Sequence, residues 1–136
     1  MKQKRDISEY KAIFYFVLTP LLLGVVIYSI ARDESIYFLK FFRLNFFKIP
    51  LPYWVQYHLP DGLWAFAFSS LLAIVWGDVQ AKAYRVWLII LISVSLLLEV
   101  FYGTFDWYDV VFIALGIAIP WGIFRKVKVK SKSLYI

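Results

Sequence analysis

The chain has 136 residues, of which 62% are hydrophobic and 21% aromatic, and a formal net charge of +6. Soluble domains average nearer half apolar, so we expect one integral membrane domain over residues 1–136. The absence of cysteine excludes disulfides, Fe–S clusters and thiolate zinc sites. Nucleic-acid binding is also rejected, because the basic residues flank apolar runs instead of forming a readout face.

The first apolar segment, residues 12–31, predicts a membrane-spanning helix. Its basic start resembles a secretory signal peptide. Its apolar run of 20 residues is too long for that, however, because a signal core has roughly 7–15. We therefore expect a retained first helix, which Pro20 bends because proline lacks a backbone donor.

Residues 35–58 are too charged to span a membrane and too aromatic for an exposed loop. Four phenylalanines within 38–46 recur at three- and four-residue steps, which predicts an amphipathic helix lying in the interface plane. Pro50 and Pro52 are expected to end it. The segment serves either as a connector that follows the membrane surface or as a docking surface for a lipid or a partner.

Three further apolar segments, residues 62–79, 83–101 and 107–124, complete an all-α fold with four spans. At 1.5 Å per residue each is about 27–30 Å long, close to the ~30 Å hydrocarbon core. Segment 62–79 has the weakest signal, since its strictly apolar part is short and contains two serines. A re-entrant or interfacial placement is the alternative for it.

The distribution of basic residues predicts the orientation of the four spans. Eleven of the 15 Lys and Arg lie in the N-terminus, the 77–85 loop and a basic tail at 125–136. Four lie on the other side, which places both termini in the cytoplasm. Termini on one side require an even number of spans, in agreement with four.

This topology brings polar side chains to the outer face from positions far apart in the sequence. They are His58 and Asp61 before or at the second segment, Glu99 at the end of the third, and Asp106 and Asp109 at the start of the fourth. We interpret them as a polar patch that binds a ligand or a partner. Aromatic residues suited to the membrane interface surround it: Tyr53, Trp54, Tyr57, Trp64, Tyr102, Trp107 and Tyr108.

Each polar residue also has a structural interpretation. Asp61 and Asp106 are suited to cap helices, and Asp109 suits a first helical turn. His58 in a proline-rich turn is typical of a surface histidine. Glu99 is different, because it follows three leucines near a helix C-terminus, where the dipole and the low dielectric disfavour its charge. We expect it to be protonated or partnered, with His58, Arg43, Lys48 or nearby Tyr and Trp side chains as candidate partners.

The stretch GTFDWYDVVFIALG, residues 103–116, resembles the last-helix signature of the VanZ-like membrane proteins. Asp106, Asp109 and Gly116 fall at matching spacings, and Glu99 resembles the acidic residue before the family's loop. The chain has Thr104 where the family has arginine, and Ile113 where it has asparagine. The resemblance implies a four-helix protein of the bacterial cytoplasmic membrane, linked to the cell envelope and to low-level glycopeptide resistance.

Three functions are therefore considered. The first is non-catalytic binding of a lipid or an envelope ligand at the outer patch. The second is an accessory subunit of a larger inner-membrane complex. The third is an acid–base or metal-dependent membrane enzyme, disfavoured because a single histidine makes a poor zinc site and no catalytic motif is present. No cofactor is predicted.

Overall fold

The computed structural model describes residues 5–31, 48–102 and 106–130, except the side chains of Arg5, Glu99 and Tyr102, and is mostly helical. Its elements are β1 (Arg5–Ser8), α1 (Glu9–Ala31), α2 (Tyr53–Tyr57), α3 (Leu59–Trp76), α4 (Lys82–Tyr102), α5 (Trp107–Phe124) and β2 (Val127–Lys130). Within the described ranges, α1, α3 and α5 are long and apolar enough to cross a membrane.

Helix α1 contains one irregular turn. Residues Phe14–Leu18 form a π-helical turn, and the hydroxyl of Thr19 donates to the carbonyl oxygen of Phe14 over 2.8 Å. The backbone N–H of Thr19 donates to the same carbonyl. The wide turn lies immediately before Pro20, where the sequence predicts a bend, and π-bulges are a known cause of helix bending.

Helices α3 and α5 form the tightest contact of the bundle. A Cβ atom added to Gly116 would lie 2.3 Å from the carbonyl oxygen of Gly62, and one added to Gly62 would lie 3.0 Å from that of Phe112. The two helices run parallel, because Gly62 meets the first half of α5 and Ser69 meets Ile117 further along. Glycine permits this approach because it has no side chain.

The two ends of the described chain meet in a short parallel sheet. Strands β1 and β2 pair with Ile7 opposite Val129, and Lys130 Nζ lies 2.8 Å from Asp6 Oδ2. Ile7 and Val129 pack against a core cluster made of Ala12, Val17, Ala73, Ile74, Val79, Tyr84 and Phe124. The sheet is an addition to the predicted all-α fold. Strand β1 lies in the N-terminal segment before the first predicted span, and β2 lies in the predicted basic tail.

Helix α4 connects the sheet end of the bundle with the opposite end. Helix α3 ends at Gly77, whose φ of 65° is the left-handed conformation that glycine favours at helix ends. Among the described side chains of α4, Tyr84 alone is buried. Further along α4, the partly buried Leu88 and Ile92 pack against a second core cluster made of Ala65, Ile113 and Ile117.

The predicted amphipathic helix at 35–58 falls largely outside the described residues, because 32–47 are not described. The described remainder begins against the end of α1, where Ile49 N donates to Ile30 O and Lys48 Nζ donates to Ser29 O, each over 3.0 Å. Pro52 is the N-cap residue of α2. Pro52 therefore precedes a short helix. The helix that the prolines were predicted to end lies outside the described residues.

The Gly62–Gly116 contact predicts that alanine substitution destabilises the protein at one glycine of α5 and not at another. In Gly116→Ala the new methyl group clashes with backbone that has little room to move, so we expect the free energy of unfolding to fall by roughly 1–3 kcal/mol. Gly122→Ala is the matched control, since nothing lies within 4 Å of its added Cβ. Unfolding in mixed detergent micelles, followed by tryptophan fluorescence, measures both. Equal stability of the two variants would contradict the close contact.

Candidate functional site

His58 lies at the corner between α2 and α3. Its backbone N–H donates to Trp54 O over 3.1 Å, and it occupies the N-cap position of α3. Pro60 stands at the start of α3, where proline is favoured because its missing N–H would be unpaired anyway. His58 is only 3% exposed, so its interpretation as a surface histidine is wrong.

Two carboxylates face the imidazole ring of His58. The ring Nδ1 forms a hydrogen bond with Asp109 Oδ1, and Asp109 is 8% exposed. When the carboxylate is ionised it can only accept, and Nδ1 is then the donor of this hydrogen bond. The other ring nitrogen, Nε2, lies 3.9 Å from Asp106 Oδ2. Three residues thus meet in one His58–Asp106–Asp109 cluster. His58 is the N-cap residue of α3, Asp106 is the N-cap residue of α5, and Asp109 lies in the first turn of α5.

Aromatic rings enclose this cluster. The ring centroid of His58 lies 5.4 Å from that of Tyr53, 5.5 Å from Tyr108 and 6.0 Å from Phe112. Sequence reasoning missed Phe112, although it lies three residues after Asp109 and so on a neighbouring part of the same helix face. The rings exclude water and lower the local dielectric, which strengthens the His58–Asp109 hydrogen bond.

Asp106 has two roles, one for each carboxylate oxygen. It is the N-cap residue of α5, where Oδ1 accepts from Tyr108 N over 3.0 Å, so the predicted cap is confirmed. Oδ2 faces His58. Asp109 lies in the first turn of α5, also as predicted. The Asp106 side chain is 35% exposed, which makes it the accessible carboxylate of the cluster.

Asp61 lies within the first turn of α3, because that helix begins at Leu59, earlier than predicted. The N-cap position belongs to His58, so the predicted capping position of Asp61 is wrong. Asp61 instead lines a cleft between α3 and α4, together with Ser95 and Leu98. Asp61 therefore lies on the side of the polar patch that faces α4.

Two of the predicted site residues cannot be placed in the cluster. Arg43 lies outside the described residues. Glu99 lies in α4, with its side chain outside the description. Lys48, a candidate partner for Glu99, donates to Ser29 O at the end of α1.

Five of the predicted interfacial aromatics are exposed around the cluster: Trp107 (73%), Tyr53 (65%), Tyr108 (65%), Trp54 (52%) and Tyr57 (38%). Trp64 differs from them. Its ring stacks on Tyr28 at 6.1 Å and lies against Gly24, and its buried Nε1 has no hydrogen-bond partner among the described residues. Trp64 is thus a packing residue between α1 and α3. Tyr102 lies in α4 with its side chain outside the description.

The cluster offers hydrogen bonding, negative charge and aromatic faces to a ligand. Within the described residues, no group of three or more His, Asp and Glu side chains is arranged to hold a metal ion. The His58 ring is oriented by one carboxylate and faces another, with access through Asp106 and its exposed aromatic neighbours. This arrangement favours binding of a positively charged group.

The chain matches no protein-family model, no curated protein and no solved structure. The resemblance to the VanZ-like proteins therefore rests on the sequence motif at 103–116 alone.

The His58–Asp109 pair predicts that Asp109 contributes more to the stability of the protein than Asp106 does. Asp109→Ala leaves a buried ring nitrogen of His58 without its hydrogen-bond partner, so we expect a loss of about 1–3 kcal/mol in the free energy of unfolding. Asp106→Ala removes a helix cap, which costs about 1 kcal/mol. A double-mutant cycle with His58→Ala should show strong coupling to Asp109. Additive effects of His58→Ala and Asp109→Ala would contradict the pairing.

Proposed function

We propose that the chain is a four-span protein of the bacterial cytoplasmic membrane, with both termini in the cytoplasm. Pairing of β1 with β2 supports an even number of spans, since it holds the start of α1 and the end of α5 at the same end of the bundle. Helices α3 and α5 run parallel, so the chain has to return between them, and α4 is the element that does so. The excess of basic residues at the sheet end supports the cytoplasmic assignment.

Because the chain has no cysteine, single-cysteine labelling tests this topology without background. In spheroplasts, a membrane-impermeant maleimide should label Trp107→Cys, whose site is 73% exposed at the cluster end. Lys128→Cys, in β2 at the sheet end, should be labelled only after permeabilisation. Labelling of both sites from the same side would contradict a membrane-spanning α5.

The outer cluster is proposed to bind the ammonium head group of a membrane lipid, as a non-catalytic function. The observation that supports this most directly is the half-exposed Asp106 carboxylate among exposed aromatic rings. Carboxylates pair with ammonium groups, and aromatic faces attract cations with roughly 0.5–2 kcal/mol. Asp61 and Asp109 add negative charge nearby.

An anionic head group fits the described cluster less well. Phosphate groups bind at arginines and at free helix N-termini. At α5 the N-terminal amide of Tyr108 is already paired with Asp106, and the described cluster carries no arginine. A zwitterionic head group presents an ammonium to the aspartates beside its phosphate, whereas an anionic head group presents only negative charge to them.

Replacing the accessible carboxylate should weaken head-group selection. We expect the wild-type chain to retain phosphatidylethanolamine over phosphatidylglycerol from equimolar vesicles, as counted by native mass spectrometry. Asp106→Asn removes a partly exposed ion pair worth up to about 1 kcal/mol, which lowers the preference about two- to fivefold.

Asp78→Asn is the matched control, because Asp78 is exposed at the other end of the bundle, where its Oδ1 accepts from Gln80 N over 2.9 Å. It should leave the preference unchanged. An equal effect of both variants, or a wild-type chain without preference, would contradict an ammonium site at the cluster.

A second candidate function is that of an accessory subunit in a larger membrane complex. Its specific support is the exposed apolar surface of α4, which includes Trp87, Ile89 and Val100. Co-purification in mild detergent at native expression level discriminates the two functions. A stoichiometric protein partner favours the subunit, and a lone chain with lipid favours the lipid-binding protein.

A further inference from the structure

The His58 ring and the Asp106 carboxylate face each other through one atom each. Nε2 of His58 lies 3.9 Å from Oδ2 of Asp106, which is too far for a direct hydrogen bond. When Asp109 is ionised and Nδ1 donates to it, a neutral imidazole carries its proton on Nδ1. Nε2 is then a hydrogen-bond acceptor, so the two facing atoms are both acceptors.

Both acceptor atoms are held in place by the rest of the cluster. Asp109 orients the His58 ring through Nδ1, and the Phe112 ring stacks on it with the centroids 6.0 Å apart. Asp106 is oriented through its other oxygen, which accepts from Tyr108 N over 3.0 Å. The separation of the two acceptors is therefore set before a ligand arrives, and such preorganisation lowers the entropy that binding costs.

This separation suits a single nitrogen atom that carries at least two N–H bonds. A nitrogen about 2.8 Å from both acceptors makes an angle of about 90° with them, and two N–H bonds about 109° apart meet this angle within the range that hydrogen bonds tolerate. A primary ammonium thus satisfies Nε2 and Oδ2 together. A quaternary ammonium has methyl groups in place of N–H bonds, so it pairs with the charge of Asp106 and leaves Nε2 without a donor.

The aromatic rings packed on His58 are turned toward the imidazole. A cage for a quaternary ammonium has rings whose faces converge on the ligand. The rings of Phe112 and Tyr108 lie at 27° and 32° to the His58 ring, with centroids 6.0 and 5.5 Å from it. Phe112 also stacks on Trp54. These faces therefore converge on one another and on His58, which favours the primary ammonium over the quaternary one.

We propose that His58 Nε2 and Asp106 Oδ2 together bind a primary ammonium group, so that the site selects ethanolamine over choline head groups of membrane lipids. The inference rests on the proposed function and narrows its ligand from ammonium groups in general to primary ones. It gives His58 a binding role in addition to its pairing with Asp109. The ligand reaches the two acceptors from the side of Asp106, whose side chain is 35% exposed.

Lipids that differ only in methylation of the ammonium nitrogen test the proposal on the wild-type chain. The vesicles contain equimolar phosphatidylethanolamine, its N,N-dimethyl derivative and phosphatidylcholine with the same acyl chains, and native mass spectrometry of the full chain counts retained lipid. We expect phosphatidylethanolamine to be retained about five- to tenfold better than phosphatidylcholine, which is the effect of one hydrogen bond. The dimethyl lipid, with one N–H bond, should lie between them. Equal or better retention of phosphatidylcholine would overturn the proposal.

His58→Asn tests Nε2 within the chain. The asparagine amide can donate to Asp109 in place of Nδ1, while no atom takes the place of Nε2. We expect this variant to retain phosphatidylethanolamine and phosphatidylcholine equally, and Asp78→Asn, at the other end of the bundle, to keep the wild-type preference. An undiminished preference in His58→Asn would refute the role of Nε2. The wild-type lipid series tests the proposal even if His58→Asn fails to fold.

The comparison with phosphatidylglycerol separates failure of this inference from failure of the proposed function. A wild-type chain that retains the ethanolamine and choline lipids equally, and both better than phosphatidylglycerol, has an ammonium site without selection for primary amines. That result overturns the inference alone. A chain that retains all of these lipids equally has no ammonium site, which overturns both.

Discussion

The hydrogen bond between His58 and Asp109 is the interaction on which the end of the bundle opposite the sheet depends. It joins the start of α3 to the first turn of α5, and it is enclosed by rings from α2 and α5. A polar pair buried in this way costs desolvation, which only an internal partner offsets. The pair therefore fixes the relative position of the two helix N-termini, and with it the position of the Asp106 carboxylate.

The glycine contact below this pair sets the spacing that the pair requires. Gly62 and Gly116 bring the backbones of α3 and α5 together, so His58 and Asp109 lie within hydrogen-bonding range above them. Helix α4 lies outside this tight pair. Tyr84 packs it into the core near the sheet, and Leu88 and Ile92 pack it against the pair itself.

The apolar segments were predictable because they are long and end at clear signals. The segments 62–79 and 107–124 correspond to α3 and α5 to within three residues at each end, and Asp106 has the capping chemistry expected of it. Burial of His58 was not predictable, since it depends on the helix beginning at Leu59 and on a partner 51 residues away. The β1–β2 sheet was missed for a similar reason: each strand has four residues, and its only partner lies at the other end of the chain.

The polarity of the site follows from which groups are enclosed and which are left accessible. Asp109 is committed to His58, and one oxygen of Asp106 is committed to the α5 backbone. What remains accessible is the second Asp106 oxygen, together with exposed tyrosine and tryptophan faces. A carboxylate among aromatic faces suits a positively charged group, which is the chemistry on which the proposed ammonium site rests.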